Sequence, residues 1–309
     1  MDILYSVKEE IARIYSRYES YIVPVLKFIL LLVTQIFISA NIGFMTKLKN
    51  PAIILVVSLL GAFLPMNASV ILVVLIVVAH LYELSLECAV IALCVFLIMF
   101  VIYFRFSPKD SAAVLLTPIF FYLKVPYVAP VVMGLSGSPF SGVSVACGVV
   151  LYYVMDYGKK NADKAGTEMS LEVAQAMAGF KEVIDGMLKN DEMLLMAVVL
   201  ALTTLVIYVA KRLELEYAWK IAIVAGSVIE LVSLVGGSFV LDVKISVGLA
   251  IVGIILGIIV GLVMEFFMFC VDFSKAQNLQ FQDDEYYYYV RAIPKVYTDI
   301  NFDDDEDEE

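Results

Sequence analysis

The sequence predicts an all-α fold: a polytopic transmembrane helical bundle with broken or re-entrant helices in its first half. Three observations carry this. Hydrophobic residues make up 62% of the 309-residue chain, charged residues 17%, and the mean hydropathy is +0.91. A soluble domain is about half apolar and about a quarter charged. Several apolar runs reach the roughly 20 residues that a bilayer-crossing helix needs. Finally, Pro51 to Tyr153 is almost wholly apolar yet is interrupted at Pro65-Met66-Asn67, Pro118, Lys124-Val125-Pro126, Pro130 and from Gly134 to Gly142. Lipid tolerates non-helical backbone only where protein buries it or where it lines a watery cavity.

Residues 1–21 predict an amphipathic N-terminal helix. Leu4, Val7, Ile11, Ile14 and Tyr18 share one face at 3-4 spacing, with Lys8, Glu9, Glu10, Arg13 and Arg17 elsewhere. Such a helix either lies in the headgroup plane or extends the first spanning segment, Ile22 to Met45. That segment is expected to remain as an uncleaved anchor, since no signal-peptide pattern precedes it. Residues 22–155 form the membrane region with proline-broken helices. Pro51 to Leu81 splits at Pro65-Met66-Asn67 into two pieces that each read as short for a full crossing. A cleaner span runs from Glu87 to Phe104. Ala112 to Tyr122 and Val128 to Leu135 are short pieces on either side of Lys124-Val125-Pro126-Tyr127, and a further span ends at Tyr153.

Residues 156–192 are a polar connector carrying a second amphipathic helix, with Val173, Met177, Phe180, Ile184 and Met187 on one face. Residues 193–272 hold three spans. The last contains Gly253, Gly257 and Gly261, and glycines four apart let another helix approach closely, either within the chain or from a second copy. Residues 273–309 form an acidic tail, in which Tyr286, Tyr287, Tyr288 and Tyr289 have strand propensity and Asp303 to Glu309 is an unbroken acidic run.

Charge and cysteine usage exclude several classes. Of the net charge of −11, the tail accounts for most, with eleven acids against Lys275, Arg291 and Lys295. The rest of the chain is close to neutral, so no nucleic acid is expected as a partner. Cys88, Cys94, Cys147 and Cys270 all sit in apolar segments, no CxxC occurs, and His80 is the one histidine. No cofactor and no metal are expected. The cysteines read as small packing residues. No nucleophile–base pair, phosphate loop or zinc motif is present, and the chain is read as a non-enzyme.

Ionisable groups inside apolar spans are functional candidates, because burying charge in lipid is costly. Glu230 stands alone near the middle of its span, with Gly226, Ser227, Ser233 and Gly237 marking a small-residue face. It reads as a proton- or cation-binding carboxylate, or else as a structural hydrogen-bonding group. Lys124 either pairs with Glu230 at a helix break or projects from a short loop. His80, Glu83 and Glu87 are spaced to share one helix face near a boundary, as a proton relay or a plain interfacial turn. Asn67 would supply a neutral ligand or a cap.

Two functions follow as expectations. One is a permease-like protein moving a small solute or ion, with Glu230, Lys124, His80, Glu83 and Asn67 along the path. The other is a non-catalytic membrane scaffold or assembly subunit. It would form a helix–helix oligomer through the glycine stripe and dock a cytosolic partner through Tyr286 to Tyr289. Both place the chain in a lipid bilayer, the cell membrane being the expected one. The tail is expected in the cytosol, because a long acidic segment then need not be translocated.

Overall fold

The structure, a computed structural model, describes residues 2–162, 173–213, 215, 217–268, 277–282 and 287–292. The fold is helical. Among the described residues, six helical stretches are long and apolar enough to cross a membrane: Arg17–Ile42, Met66–Leu84, Leu86–Phe106, Phe180–Ala210, Ala218–Val240 and Val247–Met268. The chain falls into two compact units, one of residues Met1–Ile22 and Val263–Glu309, the other of Val23–Leu262.

Helix α1 (Asp2–Ile42) joins the N-terminal amphipathic stretch to the first apolar segment. It leaves helical geometry at Tyr18 (φ −117°, ψ 20°). Pro24, in the following turn, lacks the amide that would bond the carbonyl of Ser20 and crowds that turn. Val7, Ile11, Ile14 and Tyr18 stand about half-exposed. In the same unit, the Lys8 ammonium lies 5.4 Å from the centre of the Phe266 ring.

Helix α2 (Pro51–Phe63) starts where Asn50 accepts a hydrogen bond from the Ala52 amide at 3.0 Å, with proline in the first turn. Pro65 ends it, since the residue before a proline is pushed out of the helical region. Helix α3 (Met66–Leu84) begins at once and has 19 residues. The proline break therefore separates a short helix from one of spanning length, and only the first of the two expected short pieces is short. Ser69 donates to the Gly61 carbonyl at 2.7 Å across the turn. Ser85 separates α3 from α4 (Leu86–Phe106), accepting from the Cys88 amide at 3.4 Å and donating to Glu87. His80, Glu83 and Glu87 thus do not share a helix face, because extended backbone at Ser85 breaks the register.

Helices α5 (Ser111–Tyr122) and α6 (Val128–Ser136) have 12 and 9 residues. At 1.5 Å per residue they reach about 18 and about 14 Å, well under a ~30 Å hydrocarbon core. They fold back as a hairpin: Asp110, at the start of α5, accepts from the Ser138 hydroxyl, just beyond α6, at 2.5 Å. Helix α7 (Ser141–Lys160) runs beside α5, with Gly148 against Thr117.

Helix α8 (Val173–Leu188) presents Phe180, Val183 and Met187 to the core, while Ile184 is 40% exposed. Of the predicted face Phe180 and Met187 point inward as expected, while Val183 takes the place of Ile184; Gly186 lies against the Tyr157 ring. The side chains of Val173 and Met177 lie outside the described residues. Helix α9 (Asp191–Ala210) is capped by Asn190, which accepts from the Met193 amide at 3.1 Å, and Asp191 and Glu192 suit its dipole. Helices α10 (Ala218–Val240) and α11 (Val247–Met268) complete the bundle. Strands β1 (Gln277–Gln282) and β2 (Tyr287–Ala292) pair antiparallel, with Gln277 opposite Ala292.

Two apolar cores hold the larger unit. One gathers Leu31, Val77, Phe96, Tyr103, Leu151 and Met155; the other gathers Tyr127, Val145, Tyr153, Leu200, Leu234 and Ile254. Helices in lipid gain little from hydrophobic transfer and cohere through close packing of small residues. The glycines supply it: Gly142 of α7 abuts the Ala201 backbone of α9, and Gly134 of α6 abuts Ile207.

Candidate functional site

The turn between α5 and α6 is closed by two backbone bonds, Val125 N–H to Phe120 O at 2.9 Å and Lys124 N–H to Phe121 O at 3.0 Å. That is the Schellman pattern, whose left-handed position normally takes glycine. Here Lys124 occupies it, at φ 60°, at a cost of about 1 kcal/mol. The side chain is exposed at the hairpin tip.

Above this tip lies a cavity of about 290 Å³. The hairpin supplies Phe121, Lys124, Pro126 and Tyr127. Helix α7 supplies Tyr152, Tyr153, Asp156 and Lys160; α9 supplies Glu192 and Met196; the approach to α11 supplies Lys244, Ile245, Ser246 and Leu249. The cavity exists because the hairpin stops short of its neighbours. Its aromatic wall is continuous: Phe121 stacks on Tyr152 at 4.5 Å between centroids, and Tyr153 meets Phe121 edge-on at 5.8 Å. Asp156 and Lys160 form an ion pair at 2.7 Å, and this pairing raises the Lys160 pKa. The Tyr153 hydroxyl faces the Glu192 carboxylate at hydrogen-bonding range.

Glu230 lies midway along α10 and is fully buried. Contacts of Gly226 with Ile207 and of Gly237 with Leu195 set the antiparallel register of α9 and α10. That register brings Glu230 level with Thr203, and Ser227 is one turn away on the same face. Thr203 Oγ1, Ser227 Oγ and both Glu230 carboxyl oxygens are buried without a hydrogen-bond partner among the described residues. Tyr127, which lines the cavity, is also within electrostatic reach of Glu230. Lys124 is not paired with Glu230: it projects at the exposed tip while the carboxyl group is enclosed between helices.

The other candidates fall elsewhere. His80 is fully buried, and its Nδ1 accepts from the Met45 amide at 3.2 Å, pinning the turn after α1. Glu83 is exposed. Asn67 joins Tyr103 and Ser111 in a mutually hydrogen-bonded group that ties the starts of α3 and α5 to the end of α4. Gly253 meets the Tyr127 ring, Gly257 the Tyr127 carbonyl and Val131, and Gly261 Val131 and Ile223. The stripe is therefore occupied within the chain, by α6 and α10. Tyr287 is 69% and Tyr288 38% exposed on β2, where Tyr289 pairs with Gln280. Tyr286 lies outside the described residues, as do Cys270 and Asp303 to Glu309. Among the described residues no group of three or more His, Cys, Asp or Glu converges as a metal site.

The cavity is not evident from the sequence. Tyr152-Tyr153 followed by Asp156 and Lys160 at one-turn spacings was its local signal; the convergence with Glu192 and Lys244 is non-local. Nor does the sequence single out Asp110, which accepts from Ser107 at 3.1 Å and Ser141 at 2.9 Å besides Ser138.

The fold and these sites define a helical bundle with the composition of a multi-pass membrane protein. No family model, curated protein or solved structure matches the chain.

Proposed function

We propose that the chain is a permease-like, non-enzymatic protein of the cell membrane that moves a small solute or ion, with Glu230 as the group that takes up and releases a proton or small cation. The observation that carries this reading is the complete burial of Glu230 at mid-helix with both carboxyl oxygens unpartnered. A bare carboxylate in that position costs several kcal/mol, on the order of what makes unpaired buried charges rare. A proton or a cation removes the cost, and Thr203 and Ser227 offer neutral oxygens beside it. Tyr127 links this site to the charged cavity, which gives solute and ion a shared element. The glycine stripe, used internally, contributes to the packing of the path.

Purified protein in proteoliposomes is expected to pass protons, Na⁺ or K⁺ under an imposed potential, in buffers with or without a mixture of small organic solutes. Glu230→Gln keeps the shape and should lower that flux about tenfold or more, with thermal stability retained. Vesicles as tight as empty ones, or a variant that conducts like the wild type, would sink the reading.

A second reading, a non-catalytic subunit docking a cytosolic protein through its tail, is favoured by one observation. Tyr287 and Tyr288 are exposed on a two-stranded hairpin, and such a hairpin is marginal in water until another strand is added. Tight vesicles in the flux assay favour this second reading.

A further inference from the structure

We propose that the cavity over the α5–α6 tip is the binding site for a small zwitterionic solute of the α-amino-acid class, its carboxylate held by Lys124 and Lys244 and its ammonium by Glu192. The proposal deepens the permease reading by naming the solute.

The charges of the cavity are arranged for this. Three lysines face two carboxylates. Lys160 and Asp156 neutralise each other at 2.7 Å. Among the described residues Lys124, Lys244 and Glu192 form no ion pair; Glu192 lies beside the Tyr153 hydroxyl and within electrostatic reach of Lys160, Tyr152 and Tyr127. Two free ammonium groups attract an anion and repel a divalent cation. The Glu192 carboxylate, in no ion pair among the described residues, repels a dianion and accepts an ammonium. A molecule carrying one charge of each sign satisfies all three groups, and each contact is a charge-assisted hydrogen bond. Phe121, Tyr152 and Tyr153 add π faces, on which an ammonium or an apolar side chain rests favourably.

Size and local geometry agree. A volume of about 290 Å³ lies just below the roughly 300–1,000 Å³ range of ligand pockets, which suits an amino acid and excludes a nucleotide or peptide. Lys124 stands in a left-handed conformation that glycine would adopt without cost. Strain of this kind collects where a side chain has to be aimed. Both lysines lie at chain reversals between helices, so neither needs a helix turn to reach the cavity.

The test is equilibrium binding to the full chain in lipid nanodiscs, by calorimetry and thermal shift, which does not depend on transport. The proteinogenic amino acids are titrated singly. For each binder, the amine lacking the carboxylate and the acid lacking the amine are titrated as well. At least one amino acid is expected to bind saturably, with both one-charge analogues weaker by about tenfold or more. Lys124→Met, Lys244→Met and Glu192→Gln should each weaken the amino acid by a similar factor. Absence of binding up to about 10 mM, or one-charge analogues binding equally well, overturns the site; so do folded variants that bind like the wild type. The analogue comparison uses wild-type protein and decides the matter even if a variant misfolds. Binding without ion flux leaves this site standing and removes the permease reading; flux without binding does the reverse.

Discussion

Gly142→Leu is expected to destabilise the protein by about 3 kcal/mol or more, the upper range for overpacking a close contact. A Cβ at this position would lie 2.6 Å from the Ala201 carbonyl oxygen and 3.2 Å from its Cα. Those atoms are main chain, so no rotamer change relieves the clash. Helices α7 and α9 would have to part, and α7 also carries Tyr152, Tyr153, Asp156 and Lys160 of the cavity wall. The melting temperature in detergent should fall by about 5 °C or more. Gly236→Leu is the control: a Cβ there meets no atom within 4 Å, and that variant should melt like the wild type. A Gly142→Leu protein that melts with the control would refute the contact.

Asp110→Ala should open the base of the re-entrant hairpin. Its carboxylate is the common acceptor for Ser107, Ser138 and Ser141, at 3.1, 2.5 and 2.9 Å. Hydrogen bonds to a charged group are worth about 1.5 to 3 kcal/mol each. Shared partners do not add fully, so a total loss of about 3 to 5 kcal/mol is expected. Asp110→Asn keeps the acceptor oxygen and should lose less. Hydrogen exchange read along α5 and α6 checks this: exchange should rise in the hairpin before it rises in α3 or α4. Uniform exchange across the bundle would mean that Asp110 is not the clasp.

How much of this was legible in the sequence depends on range. Hydropathy located α4 and the last three spans closely, because apolar length is a local property. Proline located the break at Pro65 and the hairpin at Pro126. The length of α3 was not legible: His80 read as a boundary residue, yet its burial rests on an amide 35 positions earlier. The glycine stripe announced a packing face, but its partners Tyr127, Val131 and Ile223 come from distant segments. Glu230 was legible as an isolated carboxyl group. Thr203 beside it was not, since the register of α9 against α10 depends on where Gly226 and Gly237 find Ile207 and Leu195. The cavity was the least legible feature. It is the space left by a hairpin shorter than its neighbours, and a void has no residue of its own to recognise.

The short hairpin also has a consequence for biosynthesis. Asn67 and Tyr103, which hold Ser111, are made before it, but the partners of α6 come after: Gly134 is covered by Ile207, and Tyr127 and Val131 by the glycines of α11. Neither hairpin helix is long enough to cross a bilayer alone, so the emerging chain has to hold it in an unfinished state while later helices leave the ribosome. Nascent chains ending at Asn190 should leave a cysteine placed at Val131 open to a water-soluble thiol reagent. Full-length chains should protect it. Equal protection at both lengths would mean that the hairpin matures on its own, ahead of the helices that enclose it.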